Sequence, residues 1–227
     1  MLGKPLGINP FPRAFANASA DAAPSPGEAF DAIYRSNGWN SDESLSGPGS
    51  EVERASAYRS ALLQCLKSLD ARSLFDAPCG DLNWIRPATS TIDYIGGDIA
   101  PSLIGDLKVR YPELDLRVFD ICQDRFPDVD IWHCRDCLFH LPLAYVQRAL
   151  QNFAVSSIPY ALLTTHRSRI MHRNLDIPVG GWRYLDLEMP PISLPPPVRY
   201  LRDYRLGRDF PRFVGLWKRE QIAAAVA

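Results

Sequence analysis

The sequence predicts an α/β domain built on one doubly wound, mostly parallel sheet with helices on both faces. Three observations carry this. Short apolar strand patterns alternate with helical patterns from residue 73 to 165. Three successive strand candidates end in an aspartate, at Asp76, Asp98 and Asp120. A last strand pattern, expected to run antiparallel, follows a long Pro-rich break.

Residues 1–27 are rich in Ala, Pro, Gly and Ser and read as a flexible tail ahead of a single domain over 28–227. "ANASADAA" resembles a signal-peptidase site, but Pro5, Gly7, Asn9, Pro10 and Pro12 break the apolar run such a leader needs. N-terminal helices fill 28–69. "EAFDAIYRSNGW" (28–39) is amphipathic and is stopped by Asn37-Gly38. The next helix is opened by a capping box of Ser50 and Glu53 and keeps Ala55, Tyr58, Leu62, Cys65 and Leu69 at helical spacing. Strands are predicted at 73–77, 93–99, 116–121, 130–134 and 160–165, with helices at 101–111, behind a proline, and 143–153. Residues 166–199 hold six prolines, too many for a helix and too long a stretch for a plain connection, so a substrate loop or lid is expected. Trp182, Tyr184 and Leu187 argue against a disordered linker there. "FVGLWK" (213–218) is the last strand.

Composition narrows the function classes. Of 227 residues, 46% are hydrophobic and 22% charged, enough for a sizeable core. A net charge of −1 gives no electrostatic case for nucleic acid, and no apolar run approaches the roughly 18 residues of a membrane span. Five irregularly spaced cysteines suit reduced thiols, and a cytoplasmic protein is expected.

In an open parallel sheet, ligands bind beyond the carboxyl ends of the strands, at the point where strand order reverses. A carboxylate ending the second strand, Asp98, can grip two ribose hydroxyls, and Gly80 in the first turn lets backbone approach a ligand. One such aspartate would mean little, because Asp ends strands for turn reasons alone; three in register mean more. The first turn, "PCGDLN", has one glycine where a dinucleotide fingerprint needs three, and no phosphate loop occurs elsewhere. A cofactor with adenosine but no phosphates fits, and S-adenosylmethionine is such a cofactor.

From about residue 30 to 218 the chain resembles class I S-adenosylmethionine-dependent methyltransferases. The closest likeness is to a bacterial group often found with surface-glycan genes. It rests on "SGPGS" (46–50), "LFDAPCGDLNWI" (74–85), "YIGGDI" (94–99), "FDI" (119–121), "DIWHCRDCLFHL" (130–141), "LLTT" (162–165) and "GWRYLDLEMPPISLPPP" (181–197), in that order. The resemblance implies a Rossmann-like methyltransferase sheet. It places Asp76, Ala77, Pro78, Cys79 and Gly80 around the methionine moiety, Asp98 and Ile99 at the ribose, and Asp120 and Ile121 at the adenine. Cys134 and Arg135 would face the methionine end, Arg135 pairing its carboxylate directly or through Asp136, and the 46–50 loop would cover the cofactor. The chain departs from the usual D-x-G-x-G-x-G motif, reading Asp76-Ala77-Pro78-Cys79-Gly80-Asp81-Leu82-Asn83 and losing two glycines. Histidines in "LTTHRSRIMHRNLDI" are a second departure, on the acceptor side.

"HCRDCLFH" (133–140) invites a metal or redox reading. If it were one helix, a rise of about 1.5 Å per residue would hold His133 and His140 about 10 Å apart, too far for one ion. A redox C-x-x-C belongs after the first strand of its fold, not the fourth. No metal is expected, and the stretch reads as an active-site wall. Cys79 and Cys137 suit small buried hydrophobes, His133 a structural role and His172 a solvated loop. Trp182 is a sugar platform or a loop anchor; Arg183 meets an acidic or phosphorylated acceptor or a neighbouring carboxylate. His140 is the expected catalytic base, with Asp136 orienting it or acting itself, and His166 stands in reserve on the acceptor side with Trp182 and Arg183. The expected activity is O-methylation of a sugar hydroxyl on a glycan or glycosylated small molecule. The alternatives are N-methylation of a small amine and a non-catalytic cofactor-binding subunit.

Overall fold

A computed structural model describes residues 24–167, 173–206 and 209–227. Most of the expected tail, and His172, lie outside the described residues. Among the described residues, seven strands form one sheet in the order β3-β2-β1-β4-β5-β7-β6. The strands are β1 (Ser73–Asp76), β2 (Asp93–Asp98), β3 (Asp115–Val118), β4 (Ile131–Cys134), β5 (Tyr160–His166), β6 (Arg199–Arg202) and β7 (Arg212–Lys218). β1 to β5 are mutually parallel, whereas β7 runs antiparallel to both β5 and β6. Strand order reverses between β1 and β4, which opens a crevice at their carboxyl ends.

Both faces of the sheet are covered, as near-continuously buried strands require. On one face α2 (Val52–Ser68) and α3 (Pro101–Arg110) pack Tyr58, Leu62, Leu103 and Ile104 against Leu74, Ile131 and Leu162. On the other, α4 (Leu143–Ala154) places Val146, Ala149, Leu150 and Phe153 over Phe75, Trp132 and Trp217, with Ile222 of α5 (Arg219–Val226) in the same cluster. The buried positions of α4 recur at three and four residues, so one face sinks and the other stays wet. α1 (Pro26–Arg35) rests on α3 and is tied to it by Tyr34 donating to Asp106 at 2.9 Å.

Several local expectations shift. The capping box sits on α1, between Ser25 and Glu28, not at Ser50. There, Pro48–Ser50 winds into a short 3₁₀ turn and Glu51 precedes α2 with no side-chain cap. β3 stops at Val118, three residues short of the predicted end, because Phe119 turns inward to pack edge-on to Phe75 at 4.7 Å. β6 and α5 have no counterpart in the predicted elements. The described part of the Pro-rich segment, from residue 173, is irregular, and Leu185, Leu187, Ile192 and Leu194 anchor it in the core.

Candidate active site

A cavity of about 1110 Å³ lies over the carboxyl ends of β1, β2 and β4. Its floor is the turn after β1. Gly80 there has a φ of 55°, and a Cβ would collide with Ser46 Oγ, so this position needs glycine on both counts. Ser46 Oγ accepts from Asp81 N–H at 2.8 Å, clamping the 46–50 loop onto the turn. Asp81 returns the grip, accepting from Ser44 and from the N–H of Leu45.

From Ala77 to Gly80 every backbone donor is spent. Ala77 N–H goes to His133 O, Cys79 N–H to Gly97 O and Gly80 N–H to Asp98, and Pro78 has none. No N–H of these four residues is left to cradle a pyrophosphate. Asp98, at the end of β2, accepts from Gly80 N–H at 3.1 Å and Ala100 N–H at 3.0 Å, one on each oxygen. A carboxylate has about four acceptor positions, so two remain for hydroxyl donors in the cavity. Burial pushes its pKa up to about 6 against the pull of those two N–H groups.

The residues of "HCRDCLFH" divide by direction. β4 ends at Cys134, Asp136 takes a left-handed φ of 53°, and Leu138–His140 form a 3₁₀ turn. His133 faces the other way, inside the sheet. Its Nδ1 is 2.6 Å from Asp76 and its Nε2 2.9 Å from Tyr58 Oη. His140 faces the cavity, where Trp39 lies over its ring at 4.3 Å between centroids. Its Nδ1 is 2.7 Å from the Gly181 carbonyl, which can only accept, so the proton sits on Nδ1 and Nε2 keeps its lone pair. Burial lowers its pKa to about 4, against the Gly181 carbonyl and Asp136. Asp136 is paired with Arg212 at 2.9 Å and lies 3.6 Å from Arg135. Burial alone would raise its carboxyl, but the two guanidiniums outweigh that and hold it below the usual range.

Of the residues singled out from sequence, Asp76, Pro78, Cys79, Gly80, Asp98, Ile99, Arg135, Asp136, His140 and Trp182 line this cavity. Six do not. Ala77 and Cys134 are sealed in the core, and burial pushes the Cys134 thiol well up. Asp120 is used within its own turn, accepting from Cys122 N–H, and Ile121 packs inward. Phe30, Tyr34, Ile99 and Leu103 are among the apolar residues that line the cavity. His166 stands behind Phe139, 5.1 Å from its ring, its Nδ1 accepting from Leu185 N–H. Arg183 donates to the Leu141 carbonyl at 2.6 Å, and its Nε has no partner among the described residues.

Sequence reasoning passes over Trp39, Trp84 and Arg212, which also line the cavity. Arg212 has a signal. Once the last strand runs antiparallel, its first residue lies beside the end of β5, opposite His166. Trp39 has none, since it follows a turn that closes a helix.

No family model matches the chain, and no curated protein does. Solved structures do. The Burkholderia thailandensis 1,6-didemethyltoxoflavin-N1-methyltransferase, bound to 1,6-didemethyltoxoflavin and S-adenosylhomocysteine, aligns at 17% identity and a TM-score of 0.56, over 88% of this chain and 93% of that one. Magnesium protoporphyrin IX methyltransferase from Synechocystis PCC 6803, with bound S-adenosylmethionine, aligns at 13% identity and a TM-score of 0.53, over 71% of this chain and 77% of that one. The fold is that of class I methyltransferases. The chain spans about half of Streptomyces venezuelae DesVI, 52% of that chain against 51% of this one, at 18% identity and a TM-score of 0.44.

In this methyltransferase fold, the zinc question has a direct test. Purified protein should carry no stoichiometric zinc. One zinc per chain by elemental analysis, lost in a Cys134→Ser/Cys137→Ser variant, would overturn the wall reading.

Proposed function

We propose that the chain is an S-adenosylmethionine-dependent methyltransferase that methylates a hydroxyl of a sugar ring, on a glycan or a glycosylated small molecule. One observation carries the cofactor assignment. Asp98 offers two acceptor positions to a ribose beside Ala77–Gly80, whose N–H donors are all consumed. That donor set suits adenosine without phosphates. The carrying residues are Asp98 for the ribose, Ile99 and Leu103 for the adenine, and Pro78 to Gly80 below the methionine chain.

When bound, the cofactor supplies a sulfonium-activated methyl group. The chain's own part is alignment, exclusion of water and removal of a proton. Trp39, Phe139 and Trp182 line the acceptor end and offer aromatic faces to the C–H side of a sugar ring. Nε2 of His140 is the base. A hydroxyl oxygen that gains a methyl becomes a far stronger acid than imidazolium, so even a base with a pKa near 4 takes its proton downhill. Asp136 is the weaker candidate, because two guanidiniums already stabilise its charge.

Calorimetry tests the cofactor assignment. S-adenosylhomocysteine should bind and NAD should not, and Asp98→Ala should weaken binding at least several-fold. Unchanged affinity in a folded variant removes the assignment. The pH dependence has a definite sign. Ribose hydroxyls favour ionised Asp98, so affinity should fall as pH drops through about 6, and stay flat above it. Asp98→Asn should abolish that dependence. If it persists unchanged in the variant, Asp98 is not its source.

A further inference from the structure

The cofactor proposed above ends in an α-amino acid, a paired positive and negative charge, and one corner of the cavity is built for such a pair. Arg135 is clamped by Asp203, which accepts from its Nε at 2.8 Å and its Nη2 at 3.0 Å. Nη2 also donates to the Gly49 carbonyl at 2.9 Å, and the guanidinium lies over Trp84 at 4.8 Å. Nη1 is the corner left over. It makes no hydrogen bond with described residues and stands 3.6 Å from Asp136 Oδ2. That Oδ2 takes Arg212 at 2.9 Å, while Asp136 Oδ1 is buried with no partner among the described residues. Arg212 is itself fixed by Asp203, through the side chain at 3.2 Å and the backbone carbonyl at 3.1 Å. Gly49 completes the corner, since a Cβ there would meet Asp136 Oδ2 at 2.6 Å.

Two guanidiniums and two carboxylates sum to zero, and a zwitterion keeps the sum at zero. A purely structural clamp would satisfy all of its oxygens, because leaving a buried one unpaired is costly. Here the clamp has one unpaired, buried acceptor and one unpaired donor among the described residues, both on residues that line the cavity. We propose that Asp203, beside β6, is a positioning residue for the cofactor's amino-acid head. It sets Arg135 and Arg212 so that Arg135 Nη1 meets the carboxylate and Asp136 Oδ1 meets the ammonium. The proposal rests on the S-adenosylmethionine reading, and it assigns Asp136 to the cofactor rather than to proton transfer.

Two ligands separate the head from the rest. S-adenosylhomocysteine carries the amino acid; 5′-methylthioadenosine keeps the nucleoside and sulfur but lacks it. Calorimetry on the full chain should show Asp203→Asn weakening S-adenosylhomocysteine about 10- to 100-fold, the scale of lost charge-assisted hydrogen bonds. The affinity for 5′-methylthioadenosine should change by no more than about twofold. Equal losses for both ligands, or no loss for either, would overturn the proposal. Should Asp203→Asn not fold, Asp136→Asn decides the matter by the same ratio of affinities. If the unaltered protein binds neither ligand, the cofactor reading itself fails and this inference falls with it.

Discussion

Replacing His140 by alanine should lower kcat by about 10²- to 10⁴-fold, the usual contribution of a positioned general base, while the affinity for S-adenosylhomocysteine hardly moves. The expectation follows from where the proton sits. The Gly181 carbonyl fixes it on Nδ1, leaving Nε2 as an acceptor in the cavity. The pH profile sharpens the test. An ordinary histidine would lose activity below about 6.5. With its pKa lowered to about 4, His140 stays neutral across the usual assay range, so its acid limb should appear near pH 4. Any decline near pH 6 should follow Asp98 instead, and should vanish at saturating cofactor. Single-turnover kinetics of His140→Ala would settle the role. A variant with unaltered kcat transfers the base to another group. A variant that loses cofactor binding makes His140 part of the cofactor wall.

The parts of this molecule that are legible in the sequence are those where one residue answers to one constraint. Strands β1, β2, β4 and β5 stand out because central strands are buried on both faces and must be apolar throughout. Asp98 stands out because it ends such a strand. The unread parts depend on context. β6 buries only Leu201 of its four residues, so it carries no alternating pattern. α5 buries only Ile222 and leans on α4. Asp120 and Ile121 fall outside the cavity lining, just past the point where the inward-packed Phe119 ends β3 early. The Arg135–Asp203 pair joins residues 68 apart in sequence, and Asp203 follows a strand that no sequence pattern marks. Arg183 sits in a motif whose pattern does not reveal its neighbours: its guanidinium donates to the carbonyls of Leu141 and Leu138, both far from it in sequence.

Asp76 faces the cavity but belongs first to the core, and its removal should cost more in stability than in binding. One oxygen lies 2.6 Å from His133 Nδ1, and the other accepts from Tyr94 Oη at 2.7 Å. His133 Nε2 in turn meets Tyr58 Oη at 2.9 Å, so the network links β1, β2, β4 and α2. His133 is 0% exposed and Asp76 2%. Asp76→Ala would strand a buried ring nitrogen and a buried hydroxyl where water cannot replace the lost partner. Breaking a buried polar pair from one side typically costs about 3–5 kcal/mol. For a domain of this size that corresponds to a fall in Tm of roughly 6–20 °C. Thermal unfolding should show this loss, and S-adenosylhomocysteine should still bind the folded fraction within a few-fold of the original affinity. The reverse outcome, a stable variant that no longer binds, would make Asp76 a direct cofactor ligand. His133→Ala is the matching control. It removes the other half of the pair without touching the cavity, so it should reproduce the stability loss and leave binding unchanged.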